Sequence, residues 1–266
     1  MTNHTVAGTL TLLRRNLRHT VRYPSMTVGA IFGPVIVLLL FVGVLGKTLG
    51  TGLASRGLAS GGGHPAHYIA YIAPGIIITA VASGSMATAV AVCVDTTEGI
   101  VDRFRTMPIS RVAILAAHVI NSVLSTIVST ACVVVVSVLL GFRPHATAAQ
   151  WLAAAGLLLF LTLALTWLAV AMGLVSPTPE AASNSPMLIV FLPFIGSAFA
   201  PASSMPAGVR QFAEYQPFTP AIETVRGLLT GAPIGHNAVI ALGWCVVLGA
   251  GGYAWAVAAF AKPAAH

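Results

Sequence analysis

Charge is what this 266-residue chain has least of. Asp and Glu together number 6 and Lys and Arg 13, so 7% of the residues are charged while 57% are hydrophobic, and the mean hydropathy is +0.91. An ordinary soluble domain is about 25% charged, so this chain has too little polar surface to face water. Cysteine is scarce as well. Cys93, Cys132 and Cys245 lie within or at the edge of apolar runs and form no CxxC pair, which excludes a disulfide framework and a cysteine metal centre and leaves small packing residues. No polar stretch exceeds roughly 35 residues, and a domain typically needs about 50 or more; a separate catalytic domain has no room. Also missing are G-x-S-x-G, H-E-x-x-H and any other nucleophile–base or ligand cluster. The nearest thing to a phosphate loop, FVGVLGKT at 41–48, contains Gly46-Lys47-Thr48 but has Phe41 where the first glycine should stand. It closes an apolar run instead of joining a strand to a helix. Basic residues are not interleaved with aromatics, so no nucleic-acid surface is expected. His64-Pro-Ala-His67 is an isolated pair, and no metal site is expected either.

What the chain has in quantity is uncharged sequence. Residues 23–46, 57–94, 112–142, 144–179, 181–209 and 227–261 contain no Asp, Glu, Lys or Arg. A helix needs about 20 apolar residues, rising ~1.5 Å each, to cross the ~30 Å hydrocarbon layer. Each run contains such a stretch. The expected fold is an all-α membrane protein with six spans, near 26–46, 69–92, 113–140, 151–174, 186–202 and 237–260. The fifth is short and carries Pro186, Pro193 and Pro201. The first run is longer than the 7–15-residue core of a signal peptide and five more follow it, so it reads as a span and not a cleaved leader.

Against this background residues 95–111 stand out, with Asp95, Glu98, Asp102, Arg103, Arg105 and Arg111 crowded between two uncharged runs. A mid-bilayer charge costs about 2.5–3.5 kcal/mol on insertion scales, so six would cost on the order of 15–20 kcal/mol. The segment is therefore expected in water, as a loop between spans two and three. Six spans place both termini on one side, together with Arg14, Arg15, Arg18, Arg22, Arg103, Arg105, Arg111 and Lys262. The opposite side has Lys47, Arg56, Arg143, Arg210 and Arg226. Four arginines directly before the first span weigh most in the positive-inside rule, so the termini and the 95–111 loop are expected to be cytoplasmic.

Two water-exposed pieces have helical spacing. In residues 1–24, Val6, Leu10, Leu13 and Leu17 form an apolar face beside Arg14, Arg15, Arg18 and Arg22. Such a basic amphipathic helix lies in the headgroup layer, as an anchor, a docking element or both. In the loop, Ile100, Phe104 and Met107 recur at i, i+4 and i+7, with Glu98, Asp102 and Arg105 opposite and Pro108 as a stop. Its stripe suits a socket on another protein, or packing on the chain's own spans. Within the spans, His118, Ser122, Ser125 and Ser129 share one face of span three with Asn121 beside it. Buried polar residues there line a path or tie helices together. Gly29 and Gly33 form a G-x-x-x-G in span one. Residues 203–235 suggest two short amphipathic helices, built on Val209 and Phe212 and on Ile222, Val225 and Leu229, with Phe212, Tyr215 and Phe218 at headgroup level. The proline-broken fifth span, with Pro193 at its centre, leads into this segment as interrupted helices near a translocation path do.

Two stretches carry a resemblance. EGIVDRFRTMPISR resembles the cytoplasmic signature of type-2 ABC transporter permeases, especially the daunorubicin-resistance branch, through Glu98, Gly99, Arg103, Arg105, Pro108, Ile109, Ser110 and Arg111. FIGSAFAPASSMPAGVRQFAEYQPFTPAIETVRGLLTG resembles that family's outer segment through Phe199, Pro201, Met205, Pro206, Pro217, Glu223 and Arg226. Gln216 replaces a frequent Asn, which puts the hydrogen bonding of that turn in question. The resemblance implies an exporter subunit of a bacterial cytoplasmic membrane that pairs with a second permease copy or a homologous half. It implies that each permease docks a separate cytoplasmic ATPase, that 97–107 is the coupling helix and 1–24 the interfacial helix. ATP and Mg would belong to the partner ATPase, with no cofactor on this chain, and the substrates would be amphipathic drugs, antibiotics or lipids. His118, Asn121, Ser125 and Pro193 are candidate path residues. The competing expectations are a proton-coupled multidrug transporter, for which His118 is the titratable candidate within a span and no mid-span carboxylate is present, a membrane-embedded enzyme, and a non-transporting scaffold.

Overall fold

The computed structural model describes residues 29, 32–44, 46, 65–97 and 111–261, and among them every regular element is helical. In chain order these are α1 (Phe32–Val44), α2 (Pro65–Thr97), α3 (Arg111–Leu139), α4 (Ala148–Val175), α5 (Pro179–Asn184), α6 (Met187–Ile195), a 3-10 turn (Ala202–Ser204), α7 (Ala207–Tyr215), α8 (Phe218–Thr230) and α9 (Asn237–Ala261). Four helices, α2, α3, α4 and α9, are long and apolar enough to cross a membrane. Lipid offers no hydrogen bonds, so backbone crossing it must satisfy itself, and a helix does so within one segment. The polar side chains in these helices follow the same economy. Thr79, Ser83, Ser137 and Thr162 each donate a hydroxyl to the carbonyl four residues earlier, at 2.7–2.9 Å.

The chain passes back and forth between two ends of the bundle, named here for Asp95 and Arg143. α2 runs from the Arg143 end to the Asp95 end, α3 returns, and α4 runs down again, so that Cys93 near the end of α2 donates its thiol to the Ser176 carbonyl just after α4. α2 is the central helix, with 72% of its most apolar stretch buried against 17% for α9. It packs against α3, α4, α5, α6 and α8, while α9 packs on α4. The α9–α4 contact is backbone-close, since a Cβ at Gly252 would lie 2.6 Å from the Leu168 nitrogen. One large core joins Leu38 of α1 to Tyr68–Ala82 of α2 and to α4, α8 and α9; a smaller one at the Asp95 end holds Val92, Ala117, Val170, Ala256 and Phe260.

Helix ends sit where their chemistry dictates. Thr147 and Gln150 form a reciprocal capping box that starts α4. α8 stops at Gly231, whose φ of 78° favours a residue without a Cβ. Two boundaries differ from the sequence expectation. α2 continues through Asp95 to Thr97, and α3 already begins at Arg111, so the described chain around the 95–111 loop is helical at both margins. The stretch expected as span five, 186–202, forms only the nine residues of α6, which at ~1.5 Å per residue covers about 14 Å. α5 precedes it across Ser185 and Pro186, whose φ, ψ of −57°, −45° and −77°, −4° keep the chain on a helical course. Within the stretch expected as span one, 26–46, the described helix is α1, which is shorter than the four long ones.

Candidate functional site

Three polar clusters lie inside the bundle. The first is at the Asp95 end. His118, seven residues into α3, points its Nε2 to within 3.2 Å of Asp95 Oδ2 near the end of α2, with side-chain exposures of 9% and 16%. The pair joins the two helices that flank the charged loop. Of the residues expected in the coupling helix, Glu98, Gly99, Ile100, Asp102, Arg103, Phe104, Arg105, Met107 and Pro108 lie outside the described residues, as do Arg14, Arg15, Arg18 and Arg22. Arg111 is the first residue of α3.

Deeper in the bundle, Thr88 of α2 donates to Ser122 of α3 at 2.7 Å, and the Ser122 and Thr166 hydroxyls of α3 and α4 lie 3.1 Å apart. This hydroxyl chain ties three helices together, one of the two roles open to the span-three serines. Ser129 is buried with them. Asn121 and Ser125 are half-buried, and Asn121 Oδ1 and Thr126 Oγ1 have no protein hydrogen-bond partner among the described residues. Thr126 Oγ1 instead sits against Gly84, where a Cβ would come within 2.5 Å of it. Pro193 is buried in α6, which packs on α2 and α8, whereas His118, Asn121 and Ser125 belong to α3, which packs on α2 and α4. The four candidate path residues thus fall in two separate seams on α2.

The third cluster was not foreseen as a site. Arg226 of α8 is 6% exposed. Its Nε and Nη2 donate to the Tyr71 carbonyl at 3.2 and 3.1 Å, Nη2 also donates to the Ser197 carbonyl at 2.7 Å, and Nη1 pairs with Glu223 one turn back. Its Cζ stands 3.8 Å from the centre of the Tyr71 ring, and the Tyr71 hydroxyl donates to the same Ser197 carbonyl at 3.2 Å. Beside it, Gln216 Nε2 donates to the Leu192 carbonyl and to Thr219 Oγ1, at 3.1 and 3.2 Å, and Thr219 Oγ1 accepts from the Ser197 nitrogen. The Gln216 side chain therefore has donors in use at the turn that the Gln-for-Asn difference put in question. In the sequence Arg226 is a charge of the outer side and, with Glu223, part of the family resemblance, with no role assigned to it; the signal that could have found one is Glu223-x-x-Arg226 on the helix whose Ile222, Val225 and Leu229 are fully buried.

These contacts set the depth of the 203–235 segment. Trp244, about 10 Å down α9 by helical rise, donates its indole N–H to the Tyr215 carbonyl at 3.0 Å. At the far end of α8 the Leu229 carbonyl accepts from the His145 amide at the Arg143 end. α8 therefore starts within the bundle and climbs out. Phe212 and Tyr215 on α7 are exposed as expected, but Phe218 is buried at 1% because it begins the inserted helix.

The elements together define a multi-pass helical membrane protein whose polar groups link helices and whose described residues hold no cluster of three or more metal-ligand side chains. Comparison with known proteins gives the class a family. The family model for the ABC-2 type transporter matches residues 8–230, and the chain belongs to that family as a type-2 ABC permease. It is similar to the daunorubicin resistance ABC transporter permease protein DrrB1 of Streptomyces coeruleorubidus, 26% identical over 227 residues, 85% of this chain and 76% of that protein. It is similar also to the probable doxorubicin resistance ABC transporter permease protein DrrC of Mycobacterium tuberculosis, 24% identical over 246 residues, 91% of this chain and 85% of that one.

Proposed function

We propose that the chain is the membrane-spanning subunit of an ATP-driven exporter that moves hydrophobic or amphipathic compounds, such as drugs, antibiotics or lipids, out across the bacterial cytoplasmic membrane. α1 and the α5–α6 stretch add two crossings to the four long helices, with both termini and the 95–111 loop cytoplasmic. From Pro179 to Ile195 the α5–α6 stretch is long enough for about 25 Å of helix. A separate cytoplasmic ATPase receives residues 97–107, and two permease chains, identical or homologous, pair in the membrane. ATP and Mg sit on the ATPase, and this chain contributes no catalytic group.

One observation carries the proposal. The EGIVDRFRTMPISR stretch falls between α2 and α3, which both present their ends at the Asp95 end and are pinned to each other there by Asp95 and His118. A push on a helix in that loop is thereby delivered to two bilayer-length helices at once. ATP binding closes the ATPase dimer, displaces the coupling helices and tilts α2 and α3. The test is co-purification of the ATPase with the permease, which deletion of 97–107 abolishes, and loss of export in Arg105→Glu and Phe104→Ala with membrane insertion intact. Normal export by these variants refutes the role.

A proton-coupled mechanism has the Asp95–His118 pair in its favour, a titratable couple between two spans. Transport abolished by uncouplers and indifferent to ATP depletion selects it.

A further inference from the structure

We propose that Arg226 is a positioning residue that fastens the 196–226 segment to the first turns of α2, so that the two travel as one body. The part of this that concerns export rests on the function proposed above. Three separate pieces of chain meet at the guanidinium: Tyr71 of α2, Ser197 in the turn after α6, and α8 itself. Apart from Glu223 on its own helix, its acceptors are two main-chain carbonyls. The fork of donors therefore holds the path of the backbone, which a side-chain-to-side-chain contact would leave free to slide.

α2 is shaped for this grip. Pro74 lies inside the helix and has no N–H to give the Ala70 carbonyl. Tyr71, whose carbonyl accepts from Arg226, is the next residue. One residue beyond the proline, Gly75 lets the Ala198 backbone come so close that a Cβ there would be 2.6 Å from the Ala198 Cα. Nothing compressible separates the two segments. The Tyr71 ring under the guanidinium and its hydroxyl on the Ser197 carbonyl close the joint from the other side.

The relative cost of opening decides which joint stays shut. Freeing Arg226 from Tyr71 and Ser197 would leave a cation nine-tenths buried with Glu223 as its one remaining partner and with its main-chain acceptors lost. Parting the Thr88–Ser122–Thr166 chain costs little, because each hydroxyl can turn to a carbonyl of its own helix; the Gly84 carbonyl lies 3.2 Å from Thr88 Oγ1. Tilting of α2 together with α3 therefore parts the Ser122–Thr166 contact with α4, and the 196–226 segment follows the first turns of α2.

Ser197→Cys supplies a near-isosteric reporter, because the serine is 1% exposed. The full chain in lipid nanodiscs, with its native cysteines replaced by alanine, is treated with a small methanethiosulfonate reagent. Labelling is expected to be at least tenfold faster in Arg226→Met than with Arg226 present, with Arg226→Lys in between; Arg226→Gln takes the place of Arg226→Met if that variant does not insert. Equal rates overturn the proposal. In the complex with its ATPase, trapped with ATP and orthovanadate, the reporter is expected to stay protected while Arg226 is present, and exposure on trapping overturns the one-body claim. With daunorubicin as fluorescent probe, Arg226→Met is expected to lower export per ATP hydrolysed at least fivefold with ATP hydrolysis unchanged, and Arg226→Lys to restore part; unchanged export per ATP refutes the positioning role. Absence of ATPase binding by the unaltered chain contradicts the proposed function alone, and the nanodisc comparison still decides the joint.

Discussion

The two ends of α2 hold their neighbours by different means. At the Arg143 end it is wrapped by the large core, with Tyr68, Ile69, Ile72 and Ile76 fully buried, and locked to two other segments through Arg226. At the Asp95 end its described neighbours form a small cluster of seven buried residues that includes its own Val92, and the Asp95–His118 pair, the Cys93 thiol and the Thr88 hydroxyl link it to α3 and to the turn after α4. Burial in lipid brings little hydrophobic gain, because lipid tails are as apolar as Leu; packing and hydrogen bonds set the difference. The lesson is that one helix can be a fixed post at one end and an adjustable lever at the other.

That contrast can be broken or sharpened by substitution. The largest effect is expected from Arg226→Ala, which removes a buried ion pair and three contacts to carbonyls; it should cost about 3 kcal/mol, the low end for a broken buried pair because Glu223 is 31% exposed. Thermal unfolding in detergent, followed by intrinsic fluorescence, measures it. Gly75→Val forces a side chain against Ala198 and is expected to cost about 1–3 kcal/mol by overpacking, read in the same way. At the lever end His118→Ala removes one partner of a partly exposed carboxylate and should cost about 1 kcal/mol, with its main effect on export per ATP. Ser122→Ala deletes two interhelical hydroxyl contacts, and at about 0.6 kcal/mol for each such bond in a membrane bundle it should cost about 1 kcal/mol. A larger loss from His118→Ala than from Arg226→Ala inverts the comparison.

Much of this arrangement was legible in the sequence. The four long helices appear where hydropathy placed them, because a run of some 20 uncharged residues has few alternatives in lipid. The buried face of α8 followed from Ile222, Val225 and Leu229 at helical spacing. Less legible was the end of α2. Charge cost assigned Asp95 to water, but its pairing with His118, distant in sequence, lets the helix run on to Thr97. Pro186 announced an interruption in the fifth apolar run without saying that α5 would continue it on the near side. The Arg226 joint was hidden for a different reason. Its acceptors outside α8 are backbone carbonyls, which every residue has, so no side-chain pattern could point to Tyr71 or Ser197.

The central claim is that the charged loop after α2 faces the ATPase side of the membrane. Arg103→Cys and Arg105→Cys, each alone in a cysteine-free chain, can be exposed to a membrane-impermeant maleimide in intact cells and in inside-out vesicles. No labelling in cells and full labelling in vesicles is expected; rapid labelling from the cell exterior would put the loop on the outer side and overturn the orientation.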